Sequence, residues 1–154
     1  MAQLTKLEAQ MDIMSSAEKF YETYSNKQYL LPKICPNIVK DIELIKGGWE
    51  SVGSIRQCTY VPTGKSQIDT SMIEAKDEKN KSITMKMLGG EVMKQYSSFI
   101  FTVQVTKKSE GGGGSIVKLS IECEKQNENV PCPTVYVEFA RLFFSAIDAY
   151  LVKN

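Results

Sequence analysis

The sequence predicts an α+β fold in which a curved antiparallel sheet of seven strands wraps around one long C-terminal helix. The helix is predicted at residues 134–152, because Pro131 and Pro133 precede Thr134, a residue suited to capping a helix. Its polar side chains recur every three or four positions and share one helix face: Glu138, Arg141, Ser145 and Asp148. The other positions are mostly apolar, so we expect the rest of the protein to cover most of the helix.

Seven segments with strand periodicity and two short helices precede the long helix. Apolar and polar residues alternate in the first strand, which ends near Ile13. Ser15 and Glu18 form a capping-box pattern that opens a short helix through Tyr24, and a second short helix is predicted at residues 28–34. The later strands are predicted at residues 38–45, 54–61, 66–75, 82–88, 96–106 and 115–124. Their short connections predict an antiparallel meander that bends around the long helix, with glycines 111–114 in a flexible natural loop.

The composition predicts one globular domain, residues 1–154. With 19 basic and 18 acidic residues the net charge is near +1, which provides no basic field for nucleic acid. No apolar run is long enough to insert into a membrane, and the first residues lack the apolar core of a signal peptide. We therefore expect a cytoplasmic monomer or weak homodimer, with no nucleic-acid partner and no membrane insertion.

The chain contains no histidine, which excludes several kinds of catalytic and metal site. Ser-His-Asp and Cys-His nucleophiles are impossible, as is any zinc site that needs imidazole. The four cysteines show no Cys-x-x-Cys spacing, so they are predicted to be free thiols. We expect no bound metal and no cofactor.

The inward faces of the predicted strands are apolar, with one exception. Arg56 shares a strand face with Cys58 and Tyr60, and a buried guanidinium needs a partner or water. Tyr136 on the long helix also needs a hydrogen-bond partner if it is buried. The alternation alone is compatible either with a solid core or with a pocket of roughly 300–1,000 Å³ for a small molecule.

The stretch KGGWESVGSIR at residues 46–56, with Tyr60 after it, resembles the glycine-rich loop and third strand of the plant major latex proteins. The resemblance continues at residues 91–105, 109–115 and 147–151. These proteins belong to the Bet v 1-like superfamily, the pathogenesis-related class 10 proteins, with a START-like helix-grip fold. The resemblance implies a seven-stranded sheet around the long helix and a large internal cavity.

The resemblance also implies which residues line the cavity, with the entrance between the long helix and nearby loops. The implied ligand-binding residues are Tyr24, Leu31, Arg56, Cys58, Tyr60, Ser71, Ile73, Ile83, Met85, Phe99, Phe101, Val117, Leu119, Tyr136, Phe139 and Phe143. The candidate catalytic groups among them are Tyr60, Arg56 and Tyr136.

Three functions remain open at this point. The first is a cytosolic carrier for an apolar plant molecule (a sterol, fatty acid, terpenoid or phenolic) whose polar group is oriented by Tyr60, Arg56 and Ser71. The second is a cofactor-independent cyclase, isomerase or catalytic helper for a reactive iridoid or alkaloid precursor, with Asp69 as a possible inward acid. The third is a stress protein that acts by interaction alone.

Each polar residue also has a purely structural explanation. Arg56 could pair with Asp69 or Glu74, and Tyr60 could bond to the backbone. Relatives that condense amines with aldehydes use a lysine on the long helix, and Val137 stands at the nearest comparable position, which disfavours that reaction.

Overall fold

The computed structural model describes residues 4–108 and 113–153. Its strands are β1 (Leu4–Ile13), β2 (Val39–Lys46), β3 (Ile55–Tyr60), β4 (Gln67–Asp77), β5 (Ser82–Gly90), β6 (Tyr96–Lys107) and β7 (Ser115–Lys125). Its α-helices are α1 (Ala17–Asn26), α2 (Leu31–Ile34), α3 (Val92–Gln95) and α4 (Thr134–Lys153), and a 3-10 turn (Gln28–Leu30) precedes α2. Residues 111 and 112 of the predicted flexible loop lie outside the described residues.

The strands of the described residues form one antiparallel sheet in the order β1-β7-β6-β5-β4-β3-β2. Strands β2 to β6 each pair with the next strand along the chain, whereas β1, the first strand, pairs with β7, the last. The predicted sheet of seven antiparallel strands, the long C-terminal helix and the short helices after β1 are confirmed. None of the helices in the described ranges is long and apolar enough to span a membrane.

One prediction at the short helices is wrong, and one short helix was not predicted. The N-cap of α1 is Ser16, whose Oγ accepts a hydrogen bond from the Lys19 amide at 3.2 Å, and not Ser15. Ser15 instead donates through its backbone amide to Asp148 of α4 at 2.8 Å, which ties the start of α1 to the long helix. The sequence analysis did not predict α3, because a helix of four residues is too short to show a helical period.

Helix α4 packs on the sheet and on α1 through aromatic side chains. Phe20 and Tyr24 of α1 contact Phe144 with ring centroids 5.8 Å apart in each case. The exposed face is wider than predicted, because Leu142 beside the polar stripe is 64% exposed. Asp148, predicted to lie on the solvated stripe, is half-buried because it accepts hydrogen bonds from the chain before α1.

The inward faces of the strands form the core, as the alternation predicts. Met85 and Met87 of β5, Val103 and Val105 of β6 and Ile121 of β7 are buried. The four cysteines are free thiols, which confirms the prediction from their spacing. The core is continuous around α4 except in the middle of the sheet, where it leaves a cavity.

Candidate functional site

An apolar cavity of about 140 Å³ lies between the sheet and α4. Helices α1 and α2, strands β2 to β7 and the start of α3 contribute to its wall. The lining residues are mostly aliphatic or aromatic: Tyr24, Gln28, Leu31, Val39, Ile42, Arg56, Cys58, Tyr60, Asp69, Ser71, Met85, Met87, Val92, Phe99, Phe101, Leu119, Ile121, Tyr136, Phe139, Ala140, Phe143 and Phe144. Polar groups are few, and two of them, Arg56 and Asp69, are ionisable groups that are only 1% exposed.

The structure brings thirteen of the sixteen predicted ligand-binding residues to the cavity wall. These are Tyr24, Leu31, Arg56, Cys58, Tyr60, Ser71, Met85, Phe99, Phe101, Leu119, Tyr136, Phe139 and Phe143. Their contact with a ligand remains a prediction. The three catalytic candidates, Tyr60, Arg56 and Tyr136, are all in this group.

Three predicted residues lie away from the cavity. Ile73 and Ile83 are fully buried in the packed core, and Val117 borders a separate hollow of about 10 Å³ between β1, β7 and α4. Tyr21 of α1 donates a hydrogen bond to the Ser82 carbonyl at 3.3 Å, which places α1 over the start of β5 and closes that region. Strand alternation identifies the inward face but not how far along each strand the cavity extends.

The sequence analysis missed several lining residues, and some of them had a usable signal. Met87 and Ile121 continue the alternation from Met85 and Leu119. Ala140 and Phe144 follow Tyr136 at intervals of four, which places them on the same helix face. Gln28, Val39 and Val92 gave no such signal, because each is the first residue of its element, whereas Ile42 alternates with Asp41 and Glu43 in the middle of β2.

Asp69 is the centre of a hydrogen-bond cluster at the cavity wall. The Tyr60 hydroxyl donates to Asp69 Oδ2, and Gln67 Nε2 lies 3.0 Å from the same oxygen. The Val92 amide donates to Asp69 Oδ1 at 2.9 Å. Gln67 Nε2 also donates to the Tyr136 hydroxyl of α4 at 2.8 Å, so the cluster joins the sheet to the helix. Tyr60 therefore bonds to a side chain, and the expectation of a backbone partner is wrong.

Gly90 allows β5 to approach Asp69 closely. Its φ is +106°, and a Cβ at this position would lie 2.7 Å from the Asp69 Cα and nearer still to the Ile68 carbonyl oxygen. Asp69 pairs with Gly90 in the sheet, next to a register irregularity between Thr70 and Ser71. The local backbone thus holds the carboxylate under the first turn of α3, where the Val92 amide reaches it.

Burial and the Asp69 charge determine the ionisation of the neighbouring groups. Burial, and then the charge and hydrogen bond of Asp69, raise the pKa of Tyr60 far above its usual value, so the phenol stays protonated. Burial, and then the Asp69 charge, raise the pKa of Cys58 to about 12. Burial also raises the pKa of Tyr136, although its hydrogen bond from Gln67 acts in the opposite direction. These groups can donate hydrogen bonds at neutral pH but are not anions.

Arg56 forms the second polar region of the cavity and makes no ion pair with an acidic side chain of the described ranges. Its guanidinium donates to Gln28 Oε1 at 2.7 Å, to Ser54 Oγ at 2.5 Å and to the Trp49 carbonyl at 3.2 Å. The Trp49 ring lies against it, with 5.5 Å from the Arg56 Cζ to the ring centroid. The expected pairing of Arg56 with Asp69 or Glu74 is therefore wrong. Burial lowers the pKa of Arg56 to about 10, which still leaves it charged at pH 7.

The comparisons with known proteins agree with this architecture. The model of the pathogenesis-related protein Bet v 1 family matches residues 2–154. The chain belongs to the Bet v 1 family. The curated relatives include MLP-like protein 34 and MLP-like protein 43 of Arabidopsis thaliana, which are 38% and 37% identical to it over 96% and 97% of its length. The chain spans 46% of the length of the first relative and 94% of the second. The resemblance to the major latex proteins is thus confirmed.

Two solved structures of other plant proteins share the fold. Ginseng major latex-like protein 151 from Panax ginseng superposes with a TM-score of 0.90 at 32% identity, over 96% of this chain and 97% of that one. Norcoclaurine synthase from Thalictrum flavum superposes with a TM-score of 0.82 at 18% identity, over 99% of this chain and 89% of that one. The second likeness concerns the fold alone. The apolar cavity has the hydrophobic-ligand-binding character of the family.

Proposed function

We propose that this protein is a cytosolic carrier that binds a compact apolar plant metabolite, a terpenoid or a phenolic, in the cavity beneath α4. The observation that carries the proposal is an apolar wall with few polar groups, which is the usual composition of a small-molecule site. Burial of ligand carbons would provide most of the affinity, at about 25 cal/mol for each Å² of apolar surface removed from water.

The size of the cavity narrows the ligand class. An apolar cavity of roughly 150 Å³ holds a guest of the size of benzene. At about 140 Å³ the cavity therefore favours one ring or a short branched chain over the sterols and long fatty acids of the initial list. A larger ligand would require α4 or the short helices to move outward.

The cluster at Asp69 would orient a ligand hydroxyl or carbonyl. Tyr60, Gln67 and Tyr136 meet there from both the sheet and α4. Ser71 is also buried at the wall and offers a hydroxyl. A compact ligand with one polar group would satisfy both the apolar wall and this cluster.

Native mass spectrometry of the protein isolated from its own tissue tests the proposal, with extraction and identification of any bound molecule. The proposal expects one retained metabolite built on a single ring or a short branched chain, as the cavity volume favours. It also expects the mass shift to disappear in Ala140→Leu, which places a larger side chain in the cavity. Ala149→Leu, on the exposed face of the same helix, is the matched control and should retain the ligand. A bound sterol, or ligand retention by Ala140→Leu, would contradict the proposal.

The second candidate function is a cyclase or isomerase for a reactive precursor such as an iridoid or alkaloid intermediate. The specific observation in its favour is a buried carboxylate, Asp69, beside a phenol, Tyr60, in an apolar cavity. Asp69 would take a proton from the carbon next to a carbonyl, and the Tyr60 hydroxyl would turn away from Asp69 to donate its hydrogen bond to the carbonyl oxygen. No lysine is among the described residues that line the cavity, which disfavours imine chemistry with a lysine.

Tyr60→Phe separates the two candidates. A carrier should lose little affinity, whereas an enzyme that uses the hydroxyl should lose rate by a factor on the order of 10² to 10⁴ while still binding. Tyr96→Phe is the control, because Tyr96 is a buried tyrosine outside the cavity wall that donates to the Pro131 carbonyl. Unchanged turnover of an enol or aldehyde precursor by Tyr60→Phe would exclude this catalytic role.

A further inference from the structure

One buried polar atom at the cavity wall has no hydrogen-bond partner. In the part of the chain that the structure describes, Nε of Arg56 is the single buried side-chain nitrogen or oxygen left unpaired. The residue is 1% exposed and belongs to the cavity lining. A buried donor without an acceptor is unfavourable, and such groups in native proteins call for an explanation.

The charge of Arg56 is also uncompensated. Its three hydrogen-bond acceptors, Gln28 Oε1, Ser54 Oγ and the Trp49 carbonyl, are all neutral. The neighbouring acid, Asp69, accepts instead from Tyr60, Gln67 and the Val92 amide. A buried cation is normally paired with an anion, because leaving water is costly for a lone charge. Arg56 is therefore a buried cation that no acidic side chain of residues 4–108 and 113–153 pairs.

From these two observations we propose that the ligand of the cavity carries a carboxylate, and that this carboxylate accepts a hydrogen bond from Nε of Arg56. This inference rests on the proposed binding function and specifies its chemical class as a compact apolar monocarboxylic acid. Arginine suits this role, because its planar guanidinium stays charged and forms strong charge-assisted bonds to carboxylates.

The surroundings of Arg56 prepare it for an anion and orient the ligand. Three hydrogen bonds and the Trp49 ring already hold the guanidinium in place, so binding does not need to order a long side chain. In the register of β3 and β4, Arg56 lies opposite Ser71, whereas Asp69 lies opposite Cys58. The Asp69 charge would repel a ligand carboxylate from the Tyr60 end and direct it towards Arg56. The apolar part of the ligand would then extend towards Phe99, Phe139 and Phe143.

Calorimetric titration with two probes of one carbon skeleton tests the inference. The probes are trans-cinnamate and cinnamyl alcohol, which differ in having a carboxylate or a neutral hydroxyl. The wild-type protein should bind cinnamate about 10- to 100-fold more tightly at pH 7, the range expected for one charge-assisted hydrogen bond. Arg56→Met should lose this preference. Arg141→Met, which removes the other arginine of the chain from the exposed face of α4, should keep it.

The outcomes separate the inference from the function on which it rests. Equal affinity for the two probes, or tighter binding of the alcohol, would contradict the proposal that the ligand carries a carboxylate. The proposed binding function would still stand. If the wild-type protein binds neither probe, both fail. A preference for cinnamate that persists in Arg56→Met would also overturn the assignment of Arg56.

Nitrogen NMR of the wild-type protein gives a second readout that needs no variant. With ¹⁵N-labelled arginine the protein has two Nε–H signals, from Arg56 and Arg141. Cinnamate should shift the Arg56 signal and leave that of Arg141 in place, whereas cinnamyl alcohol should not shift the Arg56 signal to the same extent. An Arg56 signal that does not respond to bound cinnamate would contradict the inference even if Arg56→Met fails to fold.

Discussion

The two polar regions of the cavity lie on neighbouring strands and differ in how fully their buried charges are satisfied. At Asp69, one carboxylate receives hydrogen bonds from Tyr60, Gln67 and the Val92 amide. At Arg56, one guanidinium has only neutral acceptors, and its Nε has none. The comparison indicates that the Asp69 carboxylate is fully paired and supports the fold, whereas the Arg56 guanidinium keeps an unpaired donor that a ligand can use. The following predictions test this difference.

The largest change in the free energy of unfolding is expected for Asp69→Ala. The buried Tyr60 hydroxyl and Val92 amide and the half-buried Gln67 amide would lose their acceptor. Removing one member of such a network typically costs about 3–5 kcal/mol in the free energy of unfolding. Asp69→Asn keeps an acceptor of the same size and should cost clearly less. Urea unfolding measures both values. A loss below about 1 kcal/mol for Asp69→Ala would show that the cluster does not support the fold.

A smaller loss in the free energy of unfolding is expected for Gly90→Ala, because this substitution disturbs the backbone that holds Asp69. Gly64 has a similar positive φ, of +87°, but no atom lies within 4 Å of a Cβ built there. Gly64→Ala therefore measures the conformational penalty alone, about 1–2 kcal/mol. Gly90→Ala should lose about 1–3 kcal/mol more, because the added methyl group meets Asp69 and the Ile68 carbonyl. Equal losses in urea unfolding would mean that the close approach at Gly90 is unimportant.

Arg56→Met should change the free energy of unfolding little in the absence of ligand, within about 1 kcal/mol in either direction. The substitution removes an uncompensated buried charge, which is favourable, and leaves neutral acceptors such as Gln28 Oε1 without their donor, which is unfavourable. The same urea experiment gives the value. A loss as large as that of Asp69→Ala would show that Arg56 is as structural as Asp69.

The smallest effect is expected in the reactivity of Cys58, which lies opposite Asp69 in the sheet. Because burial and the Asp69 charge raise its pKa to about 12, its thiolate fraction near pH 8 is about 10⁻⁴. Removing the charge in Asp69→Asn should lower the pKa of Cys58 by up to about one unit. The reaction of Cys58 with a small thiol reagent should therefore become faster, by less than about tenfold. The experiment uses a Cys132→Ser background, since Cys132 is exposed. A slower reaction in Asp69→Asn would contradict the assigned influence of the charge.

Much of the fold was predictable from the sequence because its elements are long and regular. The alternation from β1 to β7 and the spacing of polar residues on α4 each extend over enough positions to show a period. The four-residue α3 is too short for that, and the cap at Ser16 could not be separated from Ser15 by pattern alone.

The residues that line the cavity were largely predictable, but the hydrogen bonds between them were not. Alternation placed Arg56, Cys58 and Tyr60 on the inward face, and all three line the cavity. It could not show that Gln28 would reach Arg56 or that Asp69 would lie beneath α3, because these contacts depend on how separate elements pack. Similarly, Ile73 and Ile83 share the inward face but lie where the core is solid.

The most direct test of the central claim, that the cavity beneath α4 binds a compact apolar ligand, is calorimetric titration of the wild-type protein, Ala140→Leu and Ala149→Leu with cinnamyl alcohol. This probe is neutral, so the result does not depend on the carboxylate assigned to Arg56. The account predicts measurable binding to the wild-type protein and to Ala149→Leu, and at least about tenfold weaker binding to Ala140→Leu, a loss of about 1.4 kcal/mol. Equal binding to all three proteins would place the ligand outside the cavity, and no binding to any of them would contradict the proposed function.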